Sequence, residues 1–119
     1  MVIPVIFVAL GGAFGAVLRY VVGLGVAFPF GTLAVNVIGS FLIGVAWVLL
    51  SARGLQHWAP FILTGVLGGF TTFSAFSLDA LRLVEAERIT AAGGYVLASV
   101  ILSLGACFVG LWVAKGIIT

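Results

Sequence analysis

Charged residues cut this chain into four long apolar stretches. Uncharged runs cover Met1–Leu18, Tyr20–Ala52, Gly54–Leu78 and Ile89–Ala114. A helix that crosses a membrane needs about 20 predominantly apolar residues. The second run is too long for one crossing and too short for two, and Pro29 and Gly31 punctuate it. The pattern therefore predicts four transmembrane helices, roughly 2–24, 31–51, 58–83 and 89–115. The connections between them are short, and no linker, repeat or low-complexity segment marks a second domain. The expected fold class is an all-α membrane protein, built as one domain over residues 1–119. The first run is read as a span rather than a cleaved leader, because no basic segment precedes it.

The third span holds the one stretch where the helical pattern fails. Leu67-Gly68-Gly69-Phe70-Thr71-Thr72-Phe73-Ser74-Ala75-Phe76-Ser77 places two adjacent glycines before two β-branched threonines. Both features weaken a helix. The hydroxyls of Thr71, Thr72, Ser74 and Ser77 can satisfy backbone groups that a break would free. Non-helical backbone at membrane depth occurs where it is buried in protein or lines a wet cavity. The stretch is thus expected to be a broken helix at a functional site; the competing reading is a continuous helix that packs closely through its glycines.

Two polar stripes run along other spans. Thr32, Asn36, Ser40 and Gly44 recur every fourth residue on helix 2, so they share one face. An amide in lipid is costly, so Asn36 must face protein or water. One interhelical hydrogen bond would satisfy it, but its two donors also suit an anion. On helix 4, Tyr95, Ser99, Ser103 and Cys107 form a second stripe. Serine can bond back to its own helix, or line a polar track. In helix 1, Gly11 and Gly15 form a small-xxx-small pair that lets another helix approach closely. Arg19 has two readings: it snorkels to the interface, or it sits at a pore mouth and attracts anions. Trp47 and Trp58 fall near helix ends, as interfacial residues do.

Composition narrows the classes. The chain is 64% hydrophobic and 7% charged, against about 25% charged in soluble domains. Its net charge of +2 is too small and scattered for nucleic acid. Its one cysteine, Cys107, rules out an intrachain disulfide, and no spacing of metal-ligating side chains is present. The single histidine, His57, lies at a helix end, so no nucleophile–base pair supports an enzyme. All three acids fall in the cluster Asp79, Arg82, Glu85, Glu87 and Arg88, expected at the end of helix 3 and its loop. Asp79 and Arg82 are spaced to pair. What remains is a set of neutral donors: Asn36, Thr32, Ser40, Thr72, Ser74, Ser99 and Ser103. Phe70, Phe73 and Phe76 lie among them. Aromatic rings have a positive edge, so Phe73 and Phe76 can hold an anion edge-on. By composition alone, packing or lipid contact describes them better.

Gly12-Ala13-Phe14-Gly15-Ala16 with Arg19-Tyr20, Gly31-Thr32-Leu33-Ala34-Val35-Asn36 with Gly39-Ser40-Phe41, and the block Gly65 to Ser77 together resemble the CrcB/Fluc fluoride channel family. The third block is the most specific, and the similarity runs through the whole chain in order. The resemblance implies an antiparallel, dual-topology homodimer in a cell membrane, with two fluoride pores and passive fluoride exit. It implies a structural sodium ion at the dimer centre, held by main-chain carbonyls at positions matching Gly68 and Thr71. The implied pore residues match Asn36, Phe73 and Phe76, with Arg19 on helix 1 and the hydroxyl track Ser99 and Ser103 on helix 4; Thr72 and Ser74 join the expected route as neutral donors of the third block. Two departures stand out: Ala75 replaces a hydroxyl residue in the third block, and the acid after it is Asp79 rather than glutamate. Lys/Arg bias in the loops is nearly balanced. Arg53 and Lys115 lie on one side, Arg82 and Arg88 on the other, with Arg19 added if it reaches the interface.

Two other classes fit four short helices. A proton-coupled multidrug exporter needs an ionisable carboxylate within the membrane. Helices 1, 2 and 4 have none, and Asp79 is expected near an end. A non-transporting assembly subunit would pass no ion at all.

Overall fold

A computed structural model describes all 119 residues, and it is all-helical. Helix α1 spans Val2–Gly25 and α2 spans Phe30–Ala52. A 3-10 turn, Gln56–Trp58, leads into a π-helical segment, Pro60–Leu67. The short turn α3, Gly68–Phe70, follows, then α4, Phe73–Glu85, and α5, Ile89–Ile118. Four stretches are long and apolar enough to cross a membrane: Val2–Gly25, Phe30–Ala52, Gln56–Glu85 and Ile89–Ile118. The chain is thus a multi-pass membrane protein.

The expected boundaries shift outward. Helix α5 continues three residues past Lys115 to Ile118, with Lys115 in its last turn, where a cation suits the helix dipole. The third span, expected over 58–83 with a break near its middle, runs from Gln56 to Glu85 through 3-10, π and α winding, with two extended residues, Thr71 and Thr72, before α4. Gly54, which closes the turn after α2, has φ +66°, a conformation that glycine adopts without a Cβ clash.

Glycines decide which spans touch. A methyl group at Gly15 would collide with the Val66 carbonyl, and one at Gly69 would lie 2.6 Å from the Gly12 carbonyl. Helix α1 therefore packs on the π segment and α3 at backbone distance. The same logic joins α2 to α5: a methyl at Gly110 would collide with the Phe41 carbonyl, and one at Gly44 would lie 2.5 Å from the Cys107 carbonyl. In lipid, such close approach supplies packing that apolar side chains alone do not. Helix α4 closes one end of the bundle, where Phe76 and Leu83 pack with Ala92 and Tyr95 of α5.

These contacts yield a stability prediction. Gly15→Ala should cost about 1–3 kcal/mol through overpacking, whereas Gly12→Ala should not destabilise the chain. A methyl at Gly12 meets no atom within 4 Å. Thermal unfolding of the two variants in the same detergent checks this.

Candidate functional site

The site is built where the third span leaves helical geometry. Thr71 has φ −88° and ψ 160°, and Thr72 has φ −156° and ψ 118°, so both are extended. Glycine pairs and β-branched residues make this local change inexpensive, but side chains hold it in place. Asn36 of α2 meets Thr72 with both ends of its amide. Its Oδ1 accepts from the Thr72 N–H at 2.7 Å, and its Nδ2 donates to the Thr72 carbonyl at 3.0 Å. Thr72 then caps α4, its Oγ1 accepting from the Ala75 N–H at 3.1 Å. Ser74 Oγ lies 3.2 Å from the same Oγ1. Thr71 Oγ1 donates back to the Leu67 carbonyl at 3.0 Å.

These bonds redirect two backbone acceptors. In a continuous helix the Gly68 carbonyl receives the Thr72 N–H, and the Thr71 carbonyl receives the Ala75 N–H. Here those amides go to Asn36 Oδ1 and Thr72 Oγ1. The Gly69 carbonyl is taken by Arg19, whose Nε donates to it at 3.1 Å. Arg19 is therefore tied to the third span and does not swing free at the interface.

A groove of about 430 Å³ opens beside the extended pair. Helix α2 contributes Asn36 and Ser40, α5 contributes Ser99 and Ser103, and Thr71, Thr72, Phe73 and Phe76 lie between them; Gly39, Ile43, Leu67, Val100 and Leu104 make up the rest of the wall. The Phe73 and Phe76 ring centroids are 5.3 Å apart at 54°. Phe76 is buried, while Phe73 is 76% exposed. The Ser99 hydroxyl is buried and has no hydrogen-bond partner. An unpaired buried hydroxyl costs about 1–3 kcal/mol, so the groove holds a donor in want of an acceptor. No charged residue lines it. A second cavity, about 330 Å³, lies on the other side of Thr72 and is bordered by Arg19, Tyr20, Thr32 and Ala75. Thr72 borders both. One guanidinium thus borders the second cavity, while the polar groups of the first, set in a mostly apolar wall, are all neutral.

The expected stripes are only partly used as stripes. Asn36 and Ser40 face the groove, but Thr32 Oγ1 donates to Asp79 Oδ2 at 2.6 Å. Ser99 and Ser103 face the groove, but Tyr95 OH donates to the same Asp79 oxygen at 3.4 Å. Asn36 was expected to offer two donors; Thr72 takes one of them. Ser74 is exposed and does not line the groove. Gly68 borders neither cavity. Asp79, expected near an end, is 7% exposed within α4. No sequence signal marked that burial, because its partners lie on two other helices.

The same ground is covered by a family comparison. The family model described as CrcB-like protein, Camphor Resistance (CrcB), matches residues 6–111. This chain belongs to the CrcB family. Its relatives include the fluoride-specific ion channel FluC of Paracoccus denitrificans, 54% identical in an alignment that covers 92% of this chain and 93% of that protein. The protein of the same description from a Ruegeria species is 48% identical in an alignment that covers the full length of both chains. The one from Rhizobium etli is 48% identical in an alignment that covers 98% of this chain and 99% of its own. The match to the CrcB model contains every groove residue named above, from Asn36 to Ser103.

Proposed function

We propose that this CrcB-family chain is a fluoride-selective channel that lets fluoride leave the cytoplasm passively. The observation that carries the reading is the groove, where neutral donors converge and the buried Ser99 hydroxyl lacks an acceptor. A small anion that sheds its water needs several such donors, yet conduction needs binding weak enough to release it. Neutral hydroxyls and amide groups meet both demands, whereas a buried guanidinium would trap the ion. Arg19, set over the second cavity, would draw anions in, and Thr72 and the remaining Asn36 N–H would pass them to Ser99 and Ser103. The edges of Phe73 and Phe76 add weak positive contacts. Relatives described as fluoride-specific ion channels support this reading.

The third span would work as a broken helix within a single four-helix domain, residues 1–119. Two chains would pair antiparallel in the cell membrane, among lipid, and so cover the exposed Phe73. The carbonyls of Gly68 and Thr71, whose helical donors are engaged elsewhere, fit a hard cation, which takes oxygen ligands. In the dimer they would hold a structural sodium ion, which would accept their lone pairs and tie the two breaks together.

Two experiments test the reading. Liposomes carrying the purified protein should release fluoride far faster than chloride, without ATP or a proton gradient. Equal halide fluxes would overturn selectivity. A proton-coupled exporter is favoured by one observation, the buried Asp79 carboxylate; flux that requires an imposed proton gradient would support that class instead, and no flux would indicate an assembly subunit. For topology, a reporter at the C-terminus should appear on both membrane faces. Adding three lysines there should force one face. A C-terminus found on a single face in the unmodified chain would exclude the antiparallel pair.

A further inference from the structure

Asp79 is a buried acid that the proposed path leaves unused. A carboxylate at this depth is costly unless its oxygens are satisfied. Both hydroxyl contacts fall on one atom: Thr32 Oγ1 and Tyr95 OH donate to Oδ2 at 2.6 and 3.4 Å. The other oxygen, Oδ1, lies 3.9 Å from Arg82 Nη1 on the exposed side. The Arg82 guanidinium in turn sits 4.3 Å from the Phe28 ring centroid. A single oxygen thus joins α2, α4 and the first turns of α5.

The joined elements carry the groove. Phe76 lies one turn before Asp79 on α4, and its ring centroid is 5.5 Å from that of Tyr95 at 40°. Tyr95 lies one turn before Ser99 on α5. Holding the Tyr95 hydroxyl therefore fixes the surface behind the Phe76 ring and the turn that presents the unpartnered Ser99 hydroxyl. An apolar residue at position 79 would avoid the desolvation cost of an acid but would leave the Thr32 and Tyr95 hydroxyls without their acceptor, so the acid is matched to those two hydroxyls.

We propose that Asp79 is a positioning residue of the anion path. Through Thr32 and Tyr95 it sets the separation between the Phe76 edge and the Ser99 hydroxyl, and so the preference for fluoride over a larger halide. This rests on the reading of the groove as a fluoride path. The acceptor oxygen does the positioning rather than the charge. Asp79→Asn can place its amide oxygen where Oδ2 now stands, with the NH₂ group towards the surface. Asp79→Leu removes the acceptor, and Tyr95→Phe removes one donor while keeping the ring.

Fluoride and chloride efflux from liposomes tests the proposal with all three variants, each first checked for unchanged elution and melting. Asp79→Asn should retain most of the fluoride flux. Asp79→Leu, which leaves the Thr32 and Tyr95 hydroxyls unmatched, should lose roughly tenfold; Tyr95→Phe, which takes one of the two donors from Oδ2, should also lose flux, and in both the fluoride-to-chloride ratio should fall. Wild-type flux and ratio in both variants overturn the proposal. So does a loss in Asp79→Asn equal to that in Asp79→Leu, or a fall in flux with the halide ratio unchanged. Amide hydrogen exchange across residues 73–79 gives a readout that needs no conduction. It should quicken in Asp79→Leu and Tyr95→Phe and hold in Asp79→Asn. Unchanged exchange in all three overturns the positioning role even if the chain proves to carry no fluoride.

Discussion

Asn36→Asp is expected to reduce fluoride flux by roughly a hundredfold or more, the scale of an uncompensated buried charge. The side chain keeps its shape but loses its donor. Asn36 now gives Nδ2–H to the Thr72 carbonyl at 3.0 Å and takes the Thr72 N–H at 2.7 Å. A carboxylate can still accept from that N–H, but its second oxygen faces the Thr72 carbonyl, lone pair against lone pair. The extended turn loses one of its two clamps. The same change places a fixed negative charge on the wall of a groove proposed to hold an anion. Asn36→Ala removes both bonds without adding charge, so it should fall between the parent and Asn36→Asp. Liposome efflux orders the three. Normal flux in Asn36→Asp would remove Asn36 from the path and the clamp from the mechanism.

Phe76→Ile should lower flux by about tenfold while the oligomer stays intact, since an aromatic edge contact is worth about 0.5–1.5 kcal/mol. Isoleucine keeps an apolar body against Leu83 and Ala92 but has no positive rim. Phe73→Ile should have a comparable effect, although Phe73 is 76% exposed on the single chain. The proposed partner protomer would cover it and bring its edge to the groove. The two variants thus separate the role of the ring from that of burial. Unchanged flux in both would return the phenylalanines to packing, and loss only in Phe76→Ile would place Phe73 against lipid.

Much of this architecture can be read from one dimension. The four crossings follow from where charge is absent, and the site of irregular backbone follows from two glycines beside two threonines. The means of holding it does not. Asn36 and Thr72 are 36 residues apart, and the stripe on α2 shows only that the amide needs a polar partner. Asp79 does lie near the end of its span, but position along the chain leaves its burial unread, because nearness to a charged loop says nothing of the Thr32 and Tyr95 hydroxyls that bond to it. The two stripes divide for the same reason: regular spacing gives a face, but tertiary packing decides which residues of that face turn to an acid and which to a cavity. Arg19 fits neither of its two simple readings alone, since Nε is spent on the Gly69 carbonyl beside the cavity it borders.

The π winding of Pro60–Leu67 bears on how this span can change length. Each i→i+5 bond encloses one residue more than the i→i+4 bond of an α-helix. The segment therefore carries slack that the helices around it lack. A chain one residue shorter here can take up ordinary α winding while Gly69, Thr72 and everything beyond keep their places against α1 and α2. The same deletion in α4 would turn Phe76 and Asp79 away from their partners. Single-residue gaps among relatives should accordingly gather between Pro60 and Leu67 and be absent from Phe73 to Asp79.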